Sequence, residues 1–488
     1  LSAPKKTNVI LIVADDMGYG DFGVFSDGAV RTPHLDRLVG EGVCFRQHYS
    51  GSPICAPARA SLFTGRYSHR TGAVTQHEIH GLDRISLRET TLADCFQSAG
   101  YATGLVGKWH NGTFDRRYEP HQRGYDEFTG FCGGWTDYYR YHLRRNDSST
   151  LSDGTYLTDL LTDEAIGFVR RHRSGPFFLT LAYSAPHSPF QAPAEKIRPY
   201  LDKGYNRIVA TTYAMIEVMD AGVGRLLDEL DREGLHDDTI VLFTSDNGPA
   251  FFNPPYMLEE GESTFNERFN AGMKGSKGWV YEGGIRVPMV VRAPGAIPGG
   301  RMRDELAHFT DWLPTLLALT GVERPGGRPL DGQDLSPLLR GEPQQVEPKR
   351  FWQFQFYAPD IGTNAAVRDG DWKLVRPMIE GTRFFKPEMC ESPEDVARTR
   401  AFVEADMKHK ENPAAVQDIL PVPRLKRFEP EPPQLYNLAD DPGERVDLAD
   451  VEPDRVRRML GDLEQWFEDV EAERATIDEP SCPGARVY

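Results

Sequence analysis

Four apolar runs in this 488-residue chain each end in side chains that can do chemistry. Asn8-Val9-Ile10-Leu11-Ile12-Val13 is followed by Asp15-Asp16, and Thr239-Ile240-Val241-Leu242-Phe243-Thr244 by Asp246-Asn247. Ala102-Thr103-Gly104-Leu105-Val106 leads into Lys108 and His110, and the run Pro176 to Ala182 leads into Ser184 and His187. Short runs of this kind predict buried parallel strands. In open α/β sheets ligands gather beyond the carboxyl ends of the strands, so two acidic pairs emerging there can converge on one hard cation. Oxygen ligands favour Ca²⁺ or Mg²⁺. Each signal alone has a plainer reading. Asp-Asp after a strand is often a turn or a cap, a histidine there is a satisfied loop residue, and Cys55 beside Pro57 is a small core residue. Lys277, in a glycine-rich turn, reads as solvated.

The order of the segments changes their weight. Cys55-Ala56-Pro57-Ala58-Arg59, running on through Gly65-Arg66, resembles the C-x-P-x-R signature of type I sulfatases, whose cysteine is oxidised after translation to Cα-formylglycine. The four strand ends resemble that family's motifs in its order, as does Lys274 to Pro288. The likeness is close over roughly the first 340 residues. It extends more loosely to Asn364–Val375 and Gln434–Leu438, which are similar to the family's second-domain strands. It implies an α/β fold of the alkaline phosphatase type: a large, mostly parallel sheet sandwiched by helices, with a smaller C-terminal α+β subdomain on an antiparallel sheet. By motif, Asp15, Asp16, Asp246 and Asn247 would hold a divalent metal, Ca²⁺ first and Mg²⁺ second, with the modified Cys55 as a further ligand. Arg59 would steady the hydrated aldehyde, Lys108 and Lys277 would grip sulfate oxygens, His110 would bond the second formylglycine hydroxyl, and His187 would face the bridging ester oxygen.

Those roles suit the reaction. Sulfate monoester cleavage leaves negative charge on the departing alkoxide and on the equatorial oxygens, so it needs fixed positive charge that does not reorganise. A sugar alcohol is a poor leaving group, and a positioned acid is worth ~10²–10⁴-fold. The expected activity is a sulfuric ester hydrolase acting on a sulfated carbohydrate, with a formylglycine-generating or anaerobic maturation enzyme as partner. A phosphonate monoester or phosphodiester hydrolase, and an unmatured carbohydrate-binding relative, remain open on the same scaffold.

Composition frames this reading. The formal net charge of −17 argues against nucleic acid as a partner, while local cations can still build an anion pocket. No apolar run approaches the ~20 residues that span a bilayer. The sequence begins at Leu1, read as the start of a processed or trimmed chain, and a periplasmic or extracellular location is expected. Cys44, Cys95, Cys132, Cys390 and Cys482 show no paired spacing, so at most one disulfide is expected. Asn111-Gly112-Thr113 is a formal glycosylation acceptor beside His110 and is expected to be unused. His77 and His80, together with Trp135, Asp137, Tyr138 and Arg140 from an aromatic and basic segment, are candidate substrate contacts.

The elements that must hold these residues follow an alternating α/β pattern. A helix over about 211–233 keeps Met215, Met219, Val223, Leu226, Leu227 and Leu230 on one face. The catalytic domain is expected over 1–343 and the C-terminal subdomain over 344–488. The latter carries a hairpin at 364–375, a charged, proline-punctuated insertion at about 378–432, and a helix at about 454–470.

Overall fold

The computed structural model of the chain describes residues 6–253, 258, 260–356, 358–379, 392–397, 404, 408, 424, 426 and 429–479. The expected insertion lies largely outside the described residues, as do Cys390 and Cys482. The large sheet is built from β1 (Asn8–Ala14), β2 (Val43–Phe45), β4 (Ala102–Lys108), β5 (Glu127–Phe131), β6 (His142–Arg145), β7 (Ser148–Leu151), β8 (Phe177–Ala182), β9 (Thr239–Ser245), β10 (Met289–Arg292) and β11 (Arg301–Arg303). Its order is β11-β2-β10-β9-β1-β8-β4-β5-β6-β7. The central five, β9-β1-β8-β4-β5, run parallel, and antiparallel β10 and β6 flank them.

Every residue of β1, β8 and β9 is buried. This is the signature of strands covered on both faces, and it explains why they are continuous apolar runs instead of alternating ones. On β1, Ile10 and Ile12 pack among residues of the helices Pro33–Glu41, Leu157–His172 and Arg207–Arg232. Val9, Leu11 and Val13 face the helices Cys55–Thr64, Leu92–Ser98 and Trp312–Thr320 on the other side. The result is the expected α/β sandwich. The central helix begins at Arg207, a few residues before the expected start, because the Asn206 side chain caps it by accepting the Val209 amide at 2.9 Å. All six of its predicted apolar residues are fully buried.

A two-stranded ribbon pairs β3 (His48–Tyr49) with β12 (Ala307–His308). A separate antiparallel sheet follows in the order β13 (Lys349–Gln353), β14 (Ala365–Asp369), β15 (Trp372–Arg376), β16 (Gln434–Asn437). The helix Pro453–Arg474 buries Met459, Leu463, Trp466 and Val470 against it, in a cluster that also takes in Tyr67. Cys44, Cys55, Cys95 and Cys132 are buried and free, so the described residues hold no disulfide.

Candidate active site

The carboxyl ends of β1, β9, β4 and β8 meet the start of the helix Cys55–Thr64 in one buried pocket. That helix forms because its Ala-rich run accepts Pro57 within the first turn, where the missing N–H has no partner to lose. It stops at Gly65, which takes the left-handed conformation at φ 68°. Cys55 opens the helix, and Arg59, one turn on, lies below it on the same face. Both are buried.

Each of three carboxylates in the pocket faces its own cation. The Arg59 guanidinium donates to Asp246 Oδ2 from Nε at 2.9 Å and Nη2 at 2.8 Å, and to the Lys108 carbonyl at 3.1 Å. Lys108 Nζ donates to Asp15 Oδ2 at 2.7 Å, and Lys277 Nζ lies 2.7 and 2.9 Å from the two oxygens of Asp16. The Cys55 thiol points at Asp15 Oδ1, 3.8 Å away. Burial, with Asp246 adding to it, raises the Asp15 carboxyl to about 7 against the opposing pull of Lys108. Burial pushes Asp16 the same way, yet the Lys277 ammonium and His187 hold it well below the usual carboxylate range. Burial also pushes the Cys55 thiol up to about 12.

One ligand atom from each of Asp15, Asp16, Cys55 and His187 falls within 4.8 Å of the others. Asn247 adds a more pointed observation. Its Nδ2 donates to Asp16 Oδ1 at 2.7 Å and to the Gly248 carbonyl at 2.9 Å, both obligate acceptors, which fixes the amide orientation. Its Oδ1 is then left buried with no hydrogen-bond partner among the described residues. A carbonyl oxygen orphaned beside carboxylates matches what a hard cation takes as ligand, so the donor set fits Ca²⁺ or Mg²⁺.

The two histidines are oriented from behind. His187 Nδ1 lies 2.6 Å from the Ser188 carbonyl, which makes Nδ1 the N–H and turns Nε2 toward Asp16 at 3.7 Å. Burial, reinforced by Lys277, depresses its pKa well below the ordinary value. His110 Nε2 faces the Gln76 carbonyl at 3.1 Å and Glu78 Oε1 at 3.6 Å, which assigns the proton to Nε2 and the lone pair to Nδ1. Both Asp16 and His110 adopt left-handed backbone, φ 65° and 57°, conformations uncommon outside glycine. Gly134 lets His110 sit there: a Cβ at that position would lie 2.6 Å from His110 Cε1.

The candidate substrate contacts are distributed unevenly. Tyr138 is fully buried and its hydroxyl donates to the His187 carbonyl at 2.9 Å, so it supports that histidine from below. Asp137 Oδ1 accepts the amides of Tyr139 and Arg140 at 2.7 and 2.6 Å, and its Oδ2 accepts from Gln191 at 2.8 Å, which shapes the turn. His77 and His80 are buried with rings 5.8 Å apart. Trp135 is half-buried, and Arg140 is exposed. Asn111 is fully buried, its Nδ2 donating to the Ala56 and Asp83 carbonyls at 2.9 and 3.0 Å, so its amide is spent inside the fold. The sequence reading missed Gln76, Glu78, Gly134 and Arg268. Arg268 donates to the Asp16 carbonyl at 2.9 Å and to Asp21 at 2.8 Å. No local signal marks them, because each acts across a long sequence separation.

A family model described as Sulfatase matches residues 7–322, and one described as N-sulphoglucosamine sulphohydrolase, C-terminal, matches residues 275–408. Steryl-sulfatase of Mus musculus is 31% identical over 547 aligned residues, covering 94% of this chain and 81% of that protein. N-acetylgalactosamine-6-sulfatase of Canis lupus familiaris is 32% identical over 375 residues, covering 70% and 67%. The structure of Ps i-CgsB in complex with k-i-k-neocarrahexaose aligns with a TM-score of 0.76 at 27% identity, over 95% of this chain and 93% of that one.

Proposed function

The chain belongs to the sulfatase family, and from that premise we propose that it hydrolyses the sulfate ester of a sulfated carbohydrate, using Cys55 matured to formylglycine and a divalent cation held by Asp15, Asp16, Asp246 and Asn247. The observation that carries the metal assignment is the orphaned Asn247 Oδ1 in a nest of buried carboxylates. Ca²⁺ is the first choice of ion and Mg²⁺ the second. Bound there, the cation would supply Lewis acidity toward a sulfate oxygen, and Cys55 matured to formylglycine hydrate would supply two hydroxyls on one carbon, one as nucleophile and one able to give up its proton.

The chain's own residues do the rest. Lys108 and Lys277, anchored on Asp15 and Asp16, hold their ammonium groups in the pocket for the sulfate oxygens. Arg59 holds Asp246 and the Lys108 carbonyl at once, so one guanidinium fixes parts of β4 and β9 around the nucleophile. His187, pinned through Nδ1, turns Nε2 toward the leaving alcohol; with its proton on Nδ1 and burial opposing a second one, it serves as the acid only once Nε2 is protonated, a state that the negative charge of a bound sulfate ester favours. His110, protonated on Nε2, offers Nδ1 to take the proton from the second hydroxyl. The same reading divides the chain near residue 343, between the last strand of the small ribbon at Ala307–His308 and the first strand of the four-stranded sheet at Lys349. It also places the protein in the periplasm or outside the cell. No helix among the described residues is long and apolar enough to cross a membrane.

The test is direct. Protein co-expressed with a maturation enzyme should show the aldehyde at Cys55 by peptide mass analysis, hydrolyse sulfate monoesters in preference to phosphodiesters, and lose turnover in Cys55→Ala. Asp246→Ala should lose bound metal and activity together. A variant that keeps both would remove this cation site, and a preference for phosphodiesters would replace the sulfatase reading.

A further inference from the structure

The loop that carries Lys277 has little regular structure of its own to hold it. No helix or strand runs through Lys274 to Tyr281, and Gly275 and Gly278 bracket the lysine with left-handed backbone, φ 81° and 88°, which glycine adopts freely. Two backbone bonds tie the loop to the pocket wall. The Lys277 amide donates to the Pro249 carbonyl at 2.9 Å, and the Gly278 amide to the Pro53 carbonyl at 2.8 Å, two residues before Cys55. A further tie comes from the other sheet.

Asn364 lies one residue before β14, whose ladder with β13 begins where Ala365 pairs with Gln353. Its backbone is locked into the end of that sheet, the amide donating to the Pro377 carbonyl at 3.2 Å and the carbonyl accepting the Phe354 amide at 3.1 Å. The side chain is buried and meets the loop. Nδ2 donates to the Gly278 carbonyl at 2.8 Å and to the Phe354 carbonyl at 3.0 Å, while Oδ1 accepts the Val280 amide at 3.1 Å. One amide thus spans Gly278 to Val280, the three residues that follow Lys277, a bridge that needs a donor and an acceptor on separate atoms of one short side chain. Its left-handed φ of 47° is one that asparagine tolerates better than most residues. We propose that Asn364 is a positioning residue for Lys277, so that the four-stranded sheet completes the sulfate pocket of the large sheet through this side chain. The proposal rests on the sulfatase reading above, in which Lys277 grips a sulfate oxygen.

The experiment is a double-mutant cycle in matured, metal-loaded enzyme. Wild type, Asn364→Gly, Lys277→Met and the double variant are assayed on 4-nitrophenyl sulfate and for inhibition by inorganic sulfate. Glycine keeps the left-handed backbone without strain, so Asn364→Gly removes the side-chain bonds alone. Its kcat/KM should fall on the order of 10–10²-fold, the scale of a misplaced binding group, and the inhibition constant of sulfate should rise with it. With Lys277 already replaced, the same substitution should change kcat/KM less than about twofold, because nothing is left to position. Asn364→Asp, of the same size and held neutral by burial, keeps the Val280 bond but has one O–H for two carbonyls. It should fall between Asn364→Gly and wild type, and it carries the cycle should the glycine variant fail to fold. Val470→Ala, in the buried cluster between that sheet and the helix Pro453–Arg474, should lower the melting temperature with kcat/KM unchanged, which separates a lost tie from a loosened subdomain. An equal loss in both Lys277 backgrounds, a like loss in Val470→Ala, or wild-type kcat/KM in Asn364→Gly would overturn the role of Asn364 and leave the sulfatase reading intact. Failure of the matured wild type to hydrolyse any sulfate ester would overturn that reading and the proposal with it.

Discussion

His187 and His110 are chemically equivalent side chains made to present different ring nitrogens by the carbonyl each one faces. The Ser188 carbonyl at Nδ1 leaves His187 with Nε2 for the pocket, and the Gln76 carbonyl at Nε2 leaves His110 with Nδ1. If Nε2 of His187 protonates the departing alcohol, His187→Ala should slow esters of poorly acidic sugar alcohols by ~10²–10⁴-fold and activated aryl sulfates far less. Rates across leaving groups of graded pKa check this, and equal losses would leave His187 a purely electrostatic role. His110→Ala should instead trap sulfated enzyme whatever alcohol has left, visible as a mass increment on the Cys55 peptide after mixing with substrate. At this scale the sequence was highly readable. Asp15, Asp16, Asp246, Asn247, Lys108 and His187 sit at or just past strand ends, where an apolar run followed by polar residues announces itself. Gln76 and Glu78 do not, because a carbonyl or carboxylate that orients a histidine from 34 or 32 residues away leaves no local pattern. Tyr138 was legible only as an aromatic; that its hydroxyl would sit under His187 depends on the turn that Asp137 shapes.

Two elements carry predictions of their own. The loop through Gly134 approaches His110 so closely that a methyl group would overlap the imidazole. Gly134→Ala should therefore leave the fold and metal content intact while displacing the ring and lowering kcat, an outcome that circular dichroism, metal analysis and turnover can separate. The helix Pro453–Arg474 is held to the segment after the signature helix by charge as well as by packing. Glu473 receives Arg66 Nη2 at 2.7 Å and Arg70 Nη1 at 2.7 Å, and Glu471 lies 2.8 Å from His69 Nδ1. Burial opposes both carboxylates, yet the bonds from Arg66 and Arg70 to Glu473, and from His69 and Arg474 to Glu471, hold them down at about 2. Folded values lie below the ordinary value of 4.5, so the folded state binds fewer protons than the unfolded one. Their contribution is complete above 4.5 and is lost as pH falls toward 2. Thermal melts from pH 6 to pH 3 should show the midpoint of wild type falling more than that of Glu473→Gln, whose neutral side chain has already lost the interaction. The helix itself could be foreseen from Met459, Leu463, Trp466 and Val470. Its partner could not, because ion pairs spanning some 400 residues have no signature along the chain.

At the scale of the whole molecule, a buried charge cluster joins the four-stranded sheet to the loop that carries Lys277. Lys373 of β15, fully buried, donates to Glu282 at 2.9 Å and lies 2.9 Å from Glu444, while the Glu282 amide donates to Glu444 at 2.7 Å. The Gly283 amide next to it bonds the Lys274 carbonyl at 2.7 Å, at the start of the Lys277 loop. Removing one partner of such a cluster strands the other charges in the interior, a loss of about 3–5 kcal/mol. Lys373→Met should accordingly show a clear drop in denaturant midpoint, whereas Lys349→Met, at a partly exposed pair with Asp462, should stay within about 1 kcal/mol. The two-sheet architecture was readable from strand runs and motif order. The packing of Phe252 on Phe265 and Trp279 was not, because these rings meet only when the chain folds back on itself.

The burial of Cys55 sets a timetable. The entire helix from Cys55 to Thr64 is enclosed, and burial keeps the thiol protonated far above neutral pH. A folded molecule thus has neither an accessible sulfur nor a thiolate to offer, and it should resist alkylation by iodoacetamide until denatured, unlike a short peptide of the same sequence. Any enzyme that converts this cysteine must reach it while β9, more than 180 residues downstream, has yet to close the pocket. The few moments between emergence of the signature segment and completion of the sheet would then decide, once for each molecule, whether it is born a catalyst or only a likeness of one.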